Sequence, residues 1–237
     1  MKHELTILSH HKCATNWLRG ICQHLVDEKI INVEIKGGRQ SKVNADTIIA
    51  AKNVFLDVNA TKHAASLMRP EKNRNIHFVR DPRDALVSNY FSWIYSHTNN
   101  DETILKFREA APNMSVEDGM ILLLDDFPMG KQLETWTDNM WDNTTIIKYE
   151  NMLSNFDETF PMMFEAISLP LDEALVARIK EATSFQKMSG RPSGQEDKTK
   201  HFRKGKAGDS QEYFTERLNG AFMEKYNWIG DKLGYQY

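Results

Sequence analysis

Five short runs, at residues 5–8, 32–36, 53–59, 75–80 and 144–148, read as strands and are separated by longer stretches of helical character. Strands that alternate with helices must each cross over to a parallel neighbour. The pattern therefore predicts an α/β chain with a mainly parallel central sheet flanked by helices on both faces. No internal repeat interrupts the alternation. With 237 residues and 41% hydrophobic content, the chain suffices for a sizeable core, expected as one domain spanning 1–237.

Two strand-to-helix junctions carry the chemistry. The run 5–8 is followed by His10-His11-Lys12-Cys13-Ala14-Thr15-Asn16, then by Trp17, Leu18, Ile21, Cys22, Leu25 and Val26 at helical spacing. A loop so placed aims backbone N–H groups and the positive end of the helix dipole at one spot, which favours an anion. Lys12 adds a mobile cation and Thr15 a hydroxyl; an ordinary turn with a surface lysine has the same sequence. The second junction repeats the grammar. After Ile76-His77-Phe78-Val79, Arg80 ends the strand, Asp81 suits a helix N-cap and Pro82 the first turn. Ser88 lies about two turns along that helix, placed to face the same anion as Arg80. The alternative is local surface ion pairing among Arg80, Asp81, Arg83 and Asp84, worth about 0–1 kcal/mol per pair.

No Gly-x-x-x-x-Gly-Lys string followed by Ser or Thr occurs, and the lysine comes early in its loop. That arrangement resembles the cytosolic-type sulfotransferases, whose 5′-phosphosulfate loop reads Pro-Lys-Ser-Gly-Thr-Thr-Trp. Their 3′-phosphate motif spaces Arg and Ser as Arg80 and Ser88 are spaced here. Three further matches follow in the family's order. Ile146-Ile147-Lys148-Tyr149-Glu150-Asn151-Met152 resembles a strand ending in Tyr-Glu-Asp-Met, Thr183-Ser184-Phe185 an adenine-contacting Thr-Ser-Phe, and Arg203-Lys204-Gly205-Lys206-Ala207-Gly208-Asp209 an Arg-Lys-Gly-x-x-Gly-Asp.

The resemblance spans nearly the whole chain and implies a P-loop-like sulfotransferase architecture. The implied reaction passes a sulfuryl group from 3′-phosphoadenosine 5′-phosphosulfate to a hydroxyl or amine of a small-molecule acceptor, in line and without a metal. It leaves adenosine 3′,5′-bisphosphate (PAP). By the same resemblance Lys12 neutralises the bridging and 5′-phosphate oxygens, in a donor loop formed with Cys13, Ala14, Thr15 and Asn16, of which the last two donate hydrogen bonds. Trp17 stacks on adenine, Thr183 and Phe185 complete the base pocket, and Tyr149, in the neighbouring motif, is a further nucleotide-binding residue. Arg80, Ser88, Arg203, Lys204 and Gly205 hold the 3′-phosphate. For Trp17 and Phe185 the alternative is a place in a helix core. No cluster of His, Cys and carboxylates asks for a metal.

The acceptor side departs from the family. A Lys-Thr-His stretch carrying a histidine base is missing; that region reads Phe55-Leu56-Asp57-Val58-Asn59-Ala60-Thr61-Lys62-His63. In a strand at 53–59, Asp57 and Asn59 share a face, and Asp57 is the ionisable group near the expected place. A carboxylate partly desolvated in a cleft accepts a proton late in a loose transition state. His63 and His97 are the other candidate bases, with His10 and His11 as secondary candidates beside the donor loop. Ala14 stands where the family has glycine, which costs about 1–2 kcal/mol if φ is positive there, so a different loop path is expected. Ser210 stands where tryptophan is frequent.

Two further classes compete. A non-catalytic bisphosphate-binding relative accounts for the missing histidine stretch. A cysteine phosphatase accounts for the Cys-x5-Arg spacing of Cys13 and Arg19, although Ala14, Trp17 and Leu18 are bulky for such a loop. A net charge of −3 gives no general attraction to nucleic acid or anionic membranes. No apolar stretch approaches the roughly 18–20 residues that span a bilayer, and Met1-Lys2-His3-Glu4 runs into a strand, so a cytoplasmic protein is expected. Two cysteines, Cys13 and Cys22, rule out a disulfide framework. Residues 189–198, polar and rich in turn formers, are expected as a loop that orders over nucleotide or is simply mobile, and 211–233 as one final helix.

Overall fold

The computed structural model describes residues 4–36, 52–57, 74–97, 102–126 and 144–237. Strands β1 (Leu5–Ser9), β2 (Ile31–Lys36), β3 (Lys52–Asp57), β4 (Arg74–Val79) and β5 (Thr144–Lys148) form a sheet in the order β2-β3-β1-β4-β5, every pairing parallel. The expected parallel α/β class is therefore observed. Residues 58 and 59 of the expected third strand lie outside the described residues. Central β1 is buried throughout, so Leu5, Thr6, Ile7 and Leu8 fall on both of its faces without an exposed polar position between them.

Helices follow the strands: α1 (Thr15–Asp27), α2 (Pro82–Phe91), α3 (Glu102–Ala110), α4 (Val116–Asp126), α5 (Tyr149–Ser154) and α6 (Phe156–Met162). Nearer the C-terminus come α7 (Glu173–Ala182), α8 (Phe185–Ser189), α9 (Ser210–Tyr213) and α10 (Glu216–Leu233). Contacts divide the chain into two compact units, one of residues 1–80 with 131–184, the other of 81–130 with 185–237.

The first unit holds the sheet. Leu18, Ile21, Cys22, Leu25 and Val26 put one stripe of α1 into a core with Leu5, Ile7, Phe78, Ile147, Phe160 and Ile179. Each such large apolar side chain contributes about 1.5–3 kcal/mol on burial. Connectivity matters more for function. The chain leaving β1 runs by α1 to β2, on the β3 side of β1, whereas β4 and β5 lie on the other side. The carboxyl ends of β1 and β4 thus flank the topological switch point, where open α/β sheets bind ligands. The Lys12 loop and Arg80 leave those two strand ends.

In the second unit Asp81 caps α2 by accepting the Arg83 N–H at 2.9 Å, with Pro82 in the first turn, as the sequence predicts. Of the aromatic residues that follow, Tyr90, Phe91 and Trp93 are core, while Tyr95 is 51% exposed. Residues Ser92–Ser96 form a π-helical turn whose end is held by Arg108, which donates to the Trp93 carbonyl and, at 2.7 Å, to that of His97. The single helix expected at 211–233 is broken. Phe214 is extended, and the Thr215 hydroxyl accepts the Leu218 N–H at 3.2 Å, so a side-chain cap displaces helix continuity and starts α10 afresh. Among the described residues no helix is long and apolar enough to cross a membrane.

Candidate active site

The loop between β1 and α1 takes a conformation its sequence resists. Lys12 and Ala14 both have positive φ, +65° and +55°, so Ala14 adopts the left-handed geometry that favours glycine. Each costs about 1–2 kcal/mol. Left-handed residues alternating along a loop fold the backbone into a concave nest of N–H groups, and non-glycine strain of this kind collects where ligands are held. Here the Cys13 N–H turns inward onto the His10 carbonyl at 3.1 Å, and the Ser9 hydroxyl donates to the Cys13 carbonyl at 2.9 Å. Ala14 has no capping side chain, and Thr15 and Asn16 open α1, where N–H groups have no acceptor within the helix.

Arg80 ties the second strand end to this loop. Its guanidinium donates to the Lys12 carbonyl at 3.4 Å and lies 4.9 Å from the centre of the buried Tyr149 ring. Trp17, half-buried, meets Tyr149 edge-on at 5.9 Å and Phe156 at 6.0 Å. Its indole N–H donates at 3.2 Å to the Thr183 hydroxyl, which itself donates to the Ile179 carbonyl at 2.7 Å. Thr183 has therefore spent its proton on the end of α7 and acts on the indole as an acceptor. The first unit accordingly brings together Lys12, Ala14, Thr15, Asn16, Trp17, Arg80, Tyr149 and Thr183.

Behind the loop His10 and His77 are both buried and share a hydrogen bond through their Nε2 atoms. Burial, and then His10, hold the His77 imidazole well below its ordinary range. The folded chain thus resists the proton that the unfolded chain binds near pH 6.5. Stability is full above that pH and falls as pH drops below it, by about 1.4 kcal/mol per unit for one such group. Urea midpoints at pH 7 and 5.5 should show the loss in the wild type and a shallower one in His77→Gln; equal slopes would remove His77 from this account.

The second unit holds the other predicted residues. Ser88 is half-buried on α2. Arg203 is buried, paired with Glu196 and Asp209, and lies 5.0 Å from the Phe91 ring centre. Lys204 meets Glu212 at 2.9 Å and Asp209 at 3.0 Å, and these carboxylates, Glu212 first, raise its ammonium above the ordinary lysine range. Gly205, at φ +67°, lies against the Phe185 ring. The loop leading to them is knit together: Arg191 donates to the carbonyls of Gln195, Phe202 and Arg203, and the amides of Gly194 and Asp197 donate to the carbonyls of Lys204 and Arg203.

Asp84 is the residue the sequence reading misplaced. Asp81 and Arg83 do form a surface ion pair, but Asp84 is buried and accepts the N–H groups of Gly208 at 2.7 Å and Ser210 at 2.8 Å. Of the candidate bases, Asp57 ends β3, opposite Leu8, and His63 lies outside the described residues. His97 follows the π-helical turn, half-buried, its carbonyl held by Arg108. Cys13 is no phosphatase nucleophile: its thiol is fully buried, and burial pushes it up to about 12, whereas attack needs an exposed thiolate.

The family model of the sulfotransferase domain matches residues 2–234. Among solved structures, the chain is similar to mouse sulfotransferase SULT7A1 complexed with PAP, at 21% identity and TM-score 0.61 over 98% of this chain and 84% of that one. It is also similar to retinol dehydratase in complex with androsterone and inactive cofactor PAP, at 15% identity and TM-score 0.55 over 98% and 81%. At these identities the likeness is one of fold. No curated protein sequence matches significantly.

Proposed function

The chain belongs to the sulfotransferase domain family, and from that premise we propose that it moves a sulfuryl group from 3′-phosphoadenosine 5′-phosphosulfate to a hydroxyl or amine of a small-molecule acceptor. The observation that supports this reading is the strained Lys12–Ala14 loop at the end of β1, tied to Arg80 at the end of β4 across the switch point. Bound there, the donor supplies an activated sulfuryl group whose leaving phosphate gains charge in a loose transition state. Lys12 meets that charge, with the N–H groups and side chains of Thr15 and Asn16 beside it. Trp17, held by Thr183 and backed by Phe156, offers its indole to adenine, and Phe185 is the second aromatic of the base pocket. Arg80, Ser88, Arg203, Lys204 and Gly205 take the 3′-phosphate. Asp57 is the first choice for the acceptor's base, with His97 and His63 after it. The buried free thiols Cys13 and Cys22 suit a cytoplasmic setting.

The reading is tested by calorimetric binding of PAP beside 5′-AMP to the wild type and Arg80→Ala. A charged hydrogen-bonded contact to the 3′-phosphate corresponds to about 10- to 100-fold preference for PAP, expected to collapse in the variant. Equal affinity of the folded wild type for the two nucleotides refutes the donor site. Tight, selective binding without transfer to any of a panel of phenols, alcohols and amines assigns the chain to the non-catalytic class instead.

A further inference from the structure

We propose that Asp84 is a positioning residue for 3′-phosphate recognition, a role that rests on the donor reading above. Its carboxylate is 1% exposed and grips two backbone amides, one with each oxygen: Gly208 N–H at Oδ2 and Ser210 N–H at Oδ1. Between those amides Asp209 pairs with Arg203 and Lys204. The turn that follows Arg203-Lys204-Gly205 is thus fastened to the first turn of α2 by one side chain. Ser88 lies four residues further along the same helix, on the same face one turn on.

This clamp therefore fixes the 208–210 turn against the start of α2, and with the Arg203–Phe91 contact it sets the separation between Ser88 and the Arg203–Gly205 segment, all within one compact unit. An apolar residue at 84 would take the acceptor from the buried Ser210 amide and the half-buried Gly208 amide, and an asparagine, with one carbonyl oxygen, would hold one of them. A carboxylate is the side chain that satisfies both at once. Both carboxylate oxygens of Asp84 accept backbone N–H groups, so it acts through Arg203, Lys204 and Gly205.

The test is calorimetric binding of PAP and of 5′-AMP to the full chain, wild type against Asp84→Asn, with hydrogen exchange at the Gly208 and Ser210 amides. Asp84→Asn is expected to lose protection at one or both amides and to weaken PAP about tenfold, leaving 5′-AMP within about twofold. Asp84→Ala should lose more of the preference; if it fails to fold, the near-isosteric Asn variant carries the test. Unchanged PAP preference in folded Asp84→Asn, whatever its amide protection, overturns the positioning role. Absence of any PAP preference in the wild type instead overturns the 3′-phosphate reading itself, so the two failures are distinguishable.

Discussion

Replacing Lys12 with alanine is expected to slow sulfuryl transfer by about 10²–10³-fold, the loss typical of removing one preorganised group from developing transition-state charge. PAP binding should weaken much less. The donor already carries its phosphate charge in the ground state, whereas the bridging oxygen gains charge only as the sulfuryl group departs, so an ammonium beside it is worth more in the transition state. The backbone adds a complication, because Lys12 sits at φ +65°. Alanine keeps that strain, which makes it the right replacement; glycine would relieve it and alter the loop as well. Single-turnover transfer from radiolabelled donor, with PAP affinity measured alongside, separates the two effects. Equal losses in rate and PAP affinity would assign Lys12 to uniform binding rather than to the chemical step.

What was legible in the sequence was what local chemistry decides. The strands show because short runs rich in Val, Ile, Leu and Phe are bounded by polar and turn-forming residues, and the Asp81-Pro82 start of α2 shows because capping is a matter of neighbouring residues. The strand-to-helix turn at Lys12 was legible from the change of apolar pattern, but not its backbone: alanine at a left-handed position gives no local signal, since the rest of the fold imposes it. Asp84 was illegible for a related reason. Beside Arg80, Asp81 and Arg83 it looks like one more surface charge, and its real partners lie 124 and 126 residues away. The His10–His77 pair spans 67 residues and is likewise a product of strand register, which sets Leu8 against His77. The break before α10 had a local signal in Thr215, but no Glu or Gln stands three residues on to complete a capping box.

Gly205→Ala should do the greatest harm to the loop that carries Arg203 and Lys204. Two independent costs coincide at this position. Its φ of +67° is left-handed, which alanine occupies at about 1–2 kcal/mol. An added Cβ would also stand 2.7 Å from Cε2 of Phe185 and closer still to Cδ2 and Cγ. Those last atoms are at the root of the ring, so Phe185 has to move bodily, at an overpacking cost of about 1–3 kcal/mol. The sum, about 2–5 kcal/mol, corresponds to a fall in Tm of at least about 4 °C for a chain of this size, unless the loop yields locally and gives up nucleotide affinity instead. Gly190→Ala separates the terms: its φ of +74° is equally left-handed, but nothing lies within 4 Å of the added carbon, so it should show the backbone cost alone. Combining Gly205→Ala with Phe185→Leu should recover part of the excess, as expected for residues in contact. If Gly205→Ala is no worse than Gly190→Ala in both Tm and PAP affinity, the close approach of Phe185 to this turn does not constrain residue 205.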